Sequence, residues 1–208
     1  MYPDRHLSIF ECQSILSIYD CLMKPLHIQF QPFPELHTPN LILRRLVQAD
    51  APDVFLLRSN KDLMKYIPKP LAQTVADAEA LLALIEQKIQ DHVGINWGIT
   101  RKGNSEVLGV IGYVQFAKEH YRAEVGYILK ASCQGQGLMA EALRAVLDYG
   151  FDVMNLNSIE AFVHPDNTAS QKLLEKMKFV REAYLKEYLF HNGAFVDKAL
   201  YSLLKANR

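Results

Sequence analysis

Glu124-Val-Gly-Tyr-Ile-Leu-Lys130 and, three residues on, Gln134-Gly-Gln-Gly-Leu-Met-Ala-Glu-Ala-Leu143 form the stretch on which the fold turns. Its first part is rich in β-branched, aromatic and apolar residues and predicts a strand over Glu124–Lys130. Its second part puts Gly135 and Gly137 in a loop that feeds a helix predicted from Leu138 to about Val153. A strand running into such a loop leaves unpaired backbone N–H groups converging at a helix N-terminus, where a phosphate can bind. An ordinary glycine-containing turn is the plainer reading of the same two glycines.

Outward from this stretch the chain reads as alternating elements. Downstream, a strand is predicted at Ser158–Val163, a loop at His164–Asn167, and a helix at Thr168–Met177. Two β segments, Phe179–Phe190 and Phe195–Leu204, flank the turn His191-Asn192-Gly193. Upstream, Trp97–Thr100 and Val107–Phe116 form a hairpin around Lys102-Gly103-Asn104. Thr74 opens a helix in which Asp77 completes a capping pair and Ala78, Leu81, Leu82, Ile85 and Ile89 recur at helical spacing. Leu41–Leu46 reads as a strand, Asp50 as the cap of a helix to about Arg58, and Asn60–Tyr66 as a further helical turn. Helices, a mixed sheet and a final hairpin define an α/β (α+β) domain over residues 36–206. Before it lies an N-terminal appendage, residues 1–35, and the stretch Lys24–Pro39 across that boundary is interrupted by Pro25, Pro32, Pro34 and Pro39. Ile9, Phe10, Ile15, Leu16 and Ile18 either form a short helix docking on the body or on a second subunit, which would make a homodimer, or precede a true start at Met23.

The 208 residues carry 23 basic and 23 acidic side chains, so there is no general electrostatic pull toward nucleic acid or an anionic membrane. Three cysteines in no metal-type spacing suit a reducing compartment, and the chain is read as cytoplasmic. No apolar run approaches the ~20 residues of a membrane helix. The absence of Gly-Lys-Ser/Thr, of a third glycine at dinucleotide-binding spacing, of Gly-x-Ser-x-Gly and of His-Glu-x-x-His disfavours nucleotide triphosphatases, dehydrogenases, common hydrolases and zinc enzymes. No metal is expected.

Four stretches in the same order carry a resemblance. His37-Thr-Pro-Asn-Leu-Ile-Leu-Arg-Arg-Leu46 with Ala49-Asp50, then Ala123-Glu-Val-Gly-Tyr127, then Gln134–Leu143, then Asn167–Ser170 through Leu174–Phe179 resemble the GNAT-fold N-acetyltransferases of the RimJ/RimL type. Asp197–Leu204 fits that fold's last strand. The resemblance implies a GNAT fold whose sheet is splayed at the acyl-CoA site, acetyl-CoA as donor with CoA as product, and an amine acceptor attacking the thioester in a ternary complex. It implies that main-chain groups of Tyr127, Ile128 and Leu129 pair with pantetheine amides, much as an added strand would. Gln134, Gly135, Gln136, Gly137, Leu138, Met139 and Ala140 would receive the pyrophosphate, with Asn167 and Ser170 as further cofactor contacts.

Departures matter as well. Met139 stands where the family has a small residue, and Lys178 where it usually has glycine. The tyrosine that many relatives use to protonate the departing thiolate falls at Leu174, so Ser170, on the first turn of the same helix, is the substitute. A glutamate of some RimL-like enzymes falls at Leu189, and alternation offers Glu187 as a replacement. Glu124 is the candidate base; its plainer reading is a strand carboxylate paired with Arg122 or Arg144. Ser170 has a plainer reading as a locally bonded first-turn hydroxyl, Asn167 as a helix cap, Tyr127 as a packing aromatic, His164 as a structural histidine, and Cys133 as an inert thiol.

An α-amino group with pKa near ~8 is about a tenth neutral at pH 7, whereas a lysine near ~10.4 must spend roughly 4–5 kcal/mol to reach the free amine. A modest base therefore suits a protein or peptide N-terminus. Polyamines, aminoglycosides and other small amines stay open, as does a catalytically degenerate acyl-CoA-binding domain.

Overall fold

The computed structural model describes residues 24–208. The docking helix expected around Ile9–Ile18 and the start at Met23 lie outside the described residues. In chain order the elements are β1 (Leu36–His37), β2 (Leu41–Arg45), α1 (Ala51–Ser59), α2 (Lys61–Met64), α3 (Val75–Gln90), β3 (Ile95–Arg101), β4 (Gly109–Ala117) and β5 (Arg122–Leu129). They continue with α4 (Leu138–Asp148), β6 (Ser158–Val163), α5 (Thr168–Lys176), β7 (Val180–His191) and β8 (Ala194–Leu204). One eight-stranded sheet runs β1-β2-β3-β4-β5-β6-β8-β7, antiparallel throughout except for the parallel pair β5–β6. This is the expected α/β class with a mixed sheet and flanking helices. No helix among the described residues is long and apolar enough to cross a membrane.

Local chemistry explains most of the boundaries. The Asp77 carboxylate accepts from the N–H groups of Gln73 and Thr74 at 2.8 and 2.9 Å, closing the start of α3, whose Ala78, Leu82, Ile85 and Ile89 are buried. Asp50 behaves differently from the expected cap. Its carboxylate accepts from Val47 N–H and from both terminal nitrogens of Arg44, each at 2.8 Å, so it staples the end of β2 rather than the first turn of α1. The helix expected to reach Val153 stays α-helical to Asp148 and then widens into a π-type turn, Tyr149–Val153. The reason lies beneath it: the buried Tyr113 hydroxyl donates to the carbonyl of Val146 at 2.8 Å, and Gly150 makes room for that phenol.

Two layers of helix cover the sheet. Trp97 and Tyr113 pack edge-on toward Tyr149 and α4, while the adjacent Gly98 turns its bare α-carbon toward Leu46 on the opposite face, where α1 and α3 lie against each other. Residues expected to belong to an appendage are tied into this body. Phe30 is fully buried against His92 and Phe116, Pro34 O accepts from Trp97 Nε1 at 2.6 Å, and Pro25 O accepts from Asn155 at 3.0 Å. The prolines that make this stretch irregular do not stop it from supplying a core aromatic, so the boundary at residue 36 falls too late. Phe30→Ala should lower stability by about 3–5 kcal/mol through the cavity it leaves, read as a fall in Tm or in the denaturant midpoint. A change below 1 kcal/mol would return the stretch to the status of an appendage.

Candidate active site

The site begins where a ladder stops. β5 and β6 pair only at Arg122–Ser158, Ala123–Ile159 and Glu124–Glu160, and beyond that row the strands part. On its other side β5 stays paired with β4 out to Leu129, so Val125–Leu129 present one edge to an open wedge. The root of the wedge is pinned, because Tyr121 O accepts from the N–H groups of Asn157 at 2.7 Å and Ser158 at 3.3 Å. Beside the same row the β4–β5 register slips: Tyr113 faces Val125 but Gln115 faces Glu124, leaving Val114 as an extra residue. A bulge of this kind bends a strand and re-aims its neighbours.

Alternation along β5 sends Glu124 to one side of the sheet and Tyr127 to the other. Glu124 is half-buried and makes no ion pair among the described residues: of the two arginines that were its plainer partners, Arg122 lies 3.2 Å from Glu160 instead, and Arg144 does not pair with it. Burial raises the Glu124 pKa above the ordinary carboxylate value, the Glu160 charge adds to the rise, and Lys198 and Lys69 oppose it. A carboxylate held in this way is a better proton acceptor than an exposed one.

Across the sheet the Tyr127 and Ser170 hydroxyls lie 2.8 Å apart. Ser170 is thus not bonded locally through its side chain, and Tyr127 does more than pack. The position of Ser170 follows from the cap of α5, where Asn167 Oδ1 accepts from Ser170 N–H at 3.1 Å. Burial pushes the Tyr127 pKa up to about 12 against the opposing Ser170 bond, so the phenol keeps its proton at neutral pH.

The loop from Lys130 to Gly137 completes the floor. Gly135 and Gly137 have φ of 73° and 78°, left-handed values that a side chain resists. A β-carbon at either would meet nothing within 4 Å. None of the backbone N–H groups from Gly135 to Ala140 has an acceptor among the described residues. Gln134 Nε2 donates to Leu129 O at 3.2 Å, and Gln136 spans the loop, donating to Ser132 O and accepting from Arg101, both at 2.8 Å. The first turn of α4 is held from the side: Glu141 accepts from Thr38 Oγ1 at 2.5 Å and from Asn40 N–H at 2.8 Å. Burial would raise the Glu141 pKa, but these bonds together keep it below the usual carboxylate value.

Other candidates stand apart. The offer of Glu187 in place of Leu189 relied on strict alternation, yet β7 slips register between Leu185 and Leu189; Glu187 lies exposed there with φ 50°, its N–H donating to Asp197. Glu187 forms no hydrogen bond with Glu124 or Ser170 among the described residues. Leu174 is fully buried, Cys133 is buried, and His164 Nδ1 accepts from Asp166 N–H while its ring sits against Tyr66. Two residues went unread in the sequence. Arg101 reaches Gln136 from 35 positions away with no linear signal, whereas Lys198 could have been noticed as a lysine within the alternating strand Phe195–Leu204.

Residues 40–180 match the family described as acetyltransferase (GNAT) domain. The chain belongs to the GNAT family. It is 35% identical over 173 residues to the N-acetyltransferase YoaA of Bacillus subtilis, across 83% of this chain and 98% of that one. An acetyltransferase of the GNAT family from Bacillus anthracis superposes with a TM-score of 0.74 at 27% identity, across 83% of this chain and 99% of that one. A RimL ribosomal L7/L12 α-N-protein acetyltransferase in complex with coenzyme A shares the fold at TM-score 0.74 and 20% identity, over 82% of this chain and 98% of that one.

This GNAT chain is an N-acetyltransferase, and its acetyl donor is acetyl-CoA. The residues present fit that donor: six consecutive N–H groups without acceptors beside two bare glycines suit a pyrophosphate, and the open edge of β5 suits an amide-bearing chain. Gly137→Glu should abolish acetyl-CoA binding in calorimetry by setting a carboxylate among those N–H groups. Gly137→Ala, which carries the backbone strain without the charge, should weaken binding far less; equal losses would trace the effect to strain alone.

Proposed function

We propose that the enzyme acetylates α-amino groups, those of protein or peptide N-termini in the first instance, by direct attack in a ternary complex in the cytoplasm. The observation that carries this reading is the placement of Glu124 and the Tyr127–Ser170 pair on opposite faces of one strand at the mouth of the wedge. Acetyl-CoA supplies the thioester. Residues 135–140 and the free edge of Val125–Leu129 hold and orient the donor, an arrangement that lowers the entropic part of the barrier. Glu124 takes the proton released by the amine. The Tyr127–Ser170 pair holds the proton that the departing thiolate needs, with Asn167 fixing the position of Ser170 through the helix start.

The strength of the base favours an α-amine. Burial and the Glu160 charge raise Glu124 against the pull of Lys198 and Lys69, yet it is still a carboxylate and so a weaker base than an amine. An α-amino group near ~8 is close enough to neutral for such a base, while a lysine near ~10.4 is not. A degenerate binding domain is disfavoured by the Tyr127–Ser170 bond, a protonated hydroxyl pair one turn along α5 from Leu174, which has no proton to give.

Glu124→Gln should reduce kcat by about 10²–10⁴-fold. Its effect on pH dependence has a definite sign. The wild-type acid limb of kcat follows Glu124, at a pH above the ordinary carboxylate value; in the variant the limb should move up toward the amine's own ionisation near ~8. An unmoved limb would exclude Glu124 as the base. Ser170→Ala should lower kcat more than acetyl-CoA affinity, with Tyr127→Phe acting alike, whereas equal losses in rate and affinity would make Ser170 a binding residue.

A further inference from the structure

Lys198 is a buried lysine without a counterion among the described residues. It lies on β8 with only 5% of its surface exposed, yet its ammonium makes no hydrogen bond and no ion pair among the described residues. A buried charge is expensive unless something pairs with it. Strand register fixes where it faces. Glu124 pairs with Glu160 and Glu160 with Ser202, so alternation puts Lys198, Leu200 and Ser202 on the face of Glu124, while Ala199, Tyr201 and Leu203 face α5. Its ammonium is not wholly sealed from solvent. Glu124 is the one carboxylate whose charge acts on Lys198, and the two are farther apart than an ion pair. Lys69, between α2 and α3, also acts on Glu124 without pairing with it. That face therefore holds a half-buried carboxylate and, farther from it than an ion pair, a buried ammonium with no anion of its own among the described residues.

We propose that Lys198 is a specificity residue that receives a carboxylate carried by the acceptor, so that the preferred substrate is a primary amine with a carboxylate a few bonds from its nitrogen. The inference rests on Glu124 meeting the amine. Two sources share this chemistry: the α-carboxylate of a free amino acid, and an acidic side chain at a peptide N-terminus. Polyamines run against it, because their second cation would meet Lys198 and Lys69.

The test compares kcat/KM, with saturating acetyl-CoA, for an α-amino acid against its amide, for an Asp-initiated peptide against its Asn-initiated twin, and for a polyamine. In at least one pair the carboxylate member should lead by roughly tenfold or more, the worth of a charge-assisted hydrogen bond, and the polyamine should trail both. The pair that shows the lead identifies the source. Lys198→Met should collapse the lead to within about twofold, and Lys198→Arg should keep most of it; a rise in Tm on adding CoA certifies that each variant is folded. If Lys198→Met fails to fold, the wild-type pairs still decide. Acetylation with no lead in either pair, or a lead that survives in folded Lys198→Met, overturns the proposal and leaves the α-amine reading standing. Tight acetyl-CoA binding with no acetylation of any acceptor overturns both.

Discussion

The parallel pairing of β5 and β6 ends after a single carboxylate row, and the rest of the site depends on that termination. Had the ladder continued, Val125–Leu129 would have spent their hydrogen bonds on β6, leaving neither an edge for a ligand nor room between Glu124 and α5. The ladder stops because the two strands are joined at one end only. Tyr121 O binds the start of β6, whereas the far ends lead away, β5 into the glycine loop and β6 into the His164–Asn167 turn. The bulge at Val114 adds curvature on the other side of the same row. One local break thus sets the positions of Glu124, the Tyr127–Ser170 pair and the glycine loop together.

Much of this was legible in the chain. The helix periodicity from Ala78 to Ile89, the strand Ser158–Val163 and the turn Asn192-Gly193 are local signals, and local signals survive folding. The glycine loop was legible because positive φ selects glycine. What failed depended on register or on distant partners. Glu187 was offered on strict alternation, which the slipped register of β7 breaks, and Asp50 stands at the expected cap position of α1 but gives its carboxylate to Arg44 and Val47. Phe30 sat among prolines that mark irregular backbone but say nothing of burial. The Tyr127–Ser170 bond joins residues 43 positions apart, and no spacing rule announces it.

The charges around the site divide into two kinds. Glu141, Asp53 and Glu106 are answered by neighbours: Glu141 by Thr38 and Asn40, the other two by Lys130 at 2.8 Å each. These contacts hold the loop and the first turn of α4 in place. Glu124 feels the charges of Lys198 and Lys69 but forms an ion pair with neither. The charges that hold the loop are satisfied within the fold, whereas Glu124 and Lys198 share one face of the sheet without such partners among the described residues.

The wedge has one more consequence. An unpaired strand edge on the outside of a protein invites other chains to add to it, which is a common route to aggregation. Here the bare edges of β5 and β6 face each other in the interior of an eight-stranded sheet, guarded by β4 on one flank and β8 on the other. A foreign β-strand would have to force neighbouring strands apart to use them. The chain thereby keeps a reactive backbone edge permanently available to a slender ligand without exposing it to its own copies during a lifetime in a crowded solution.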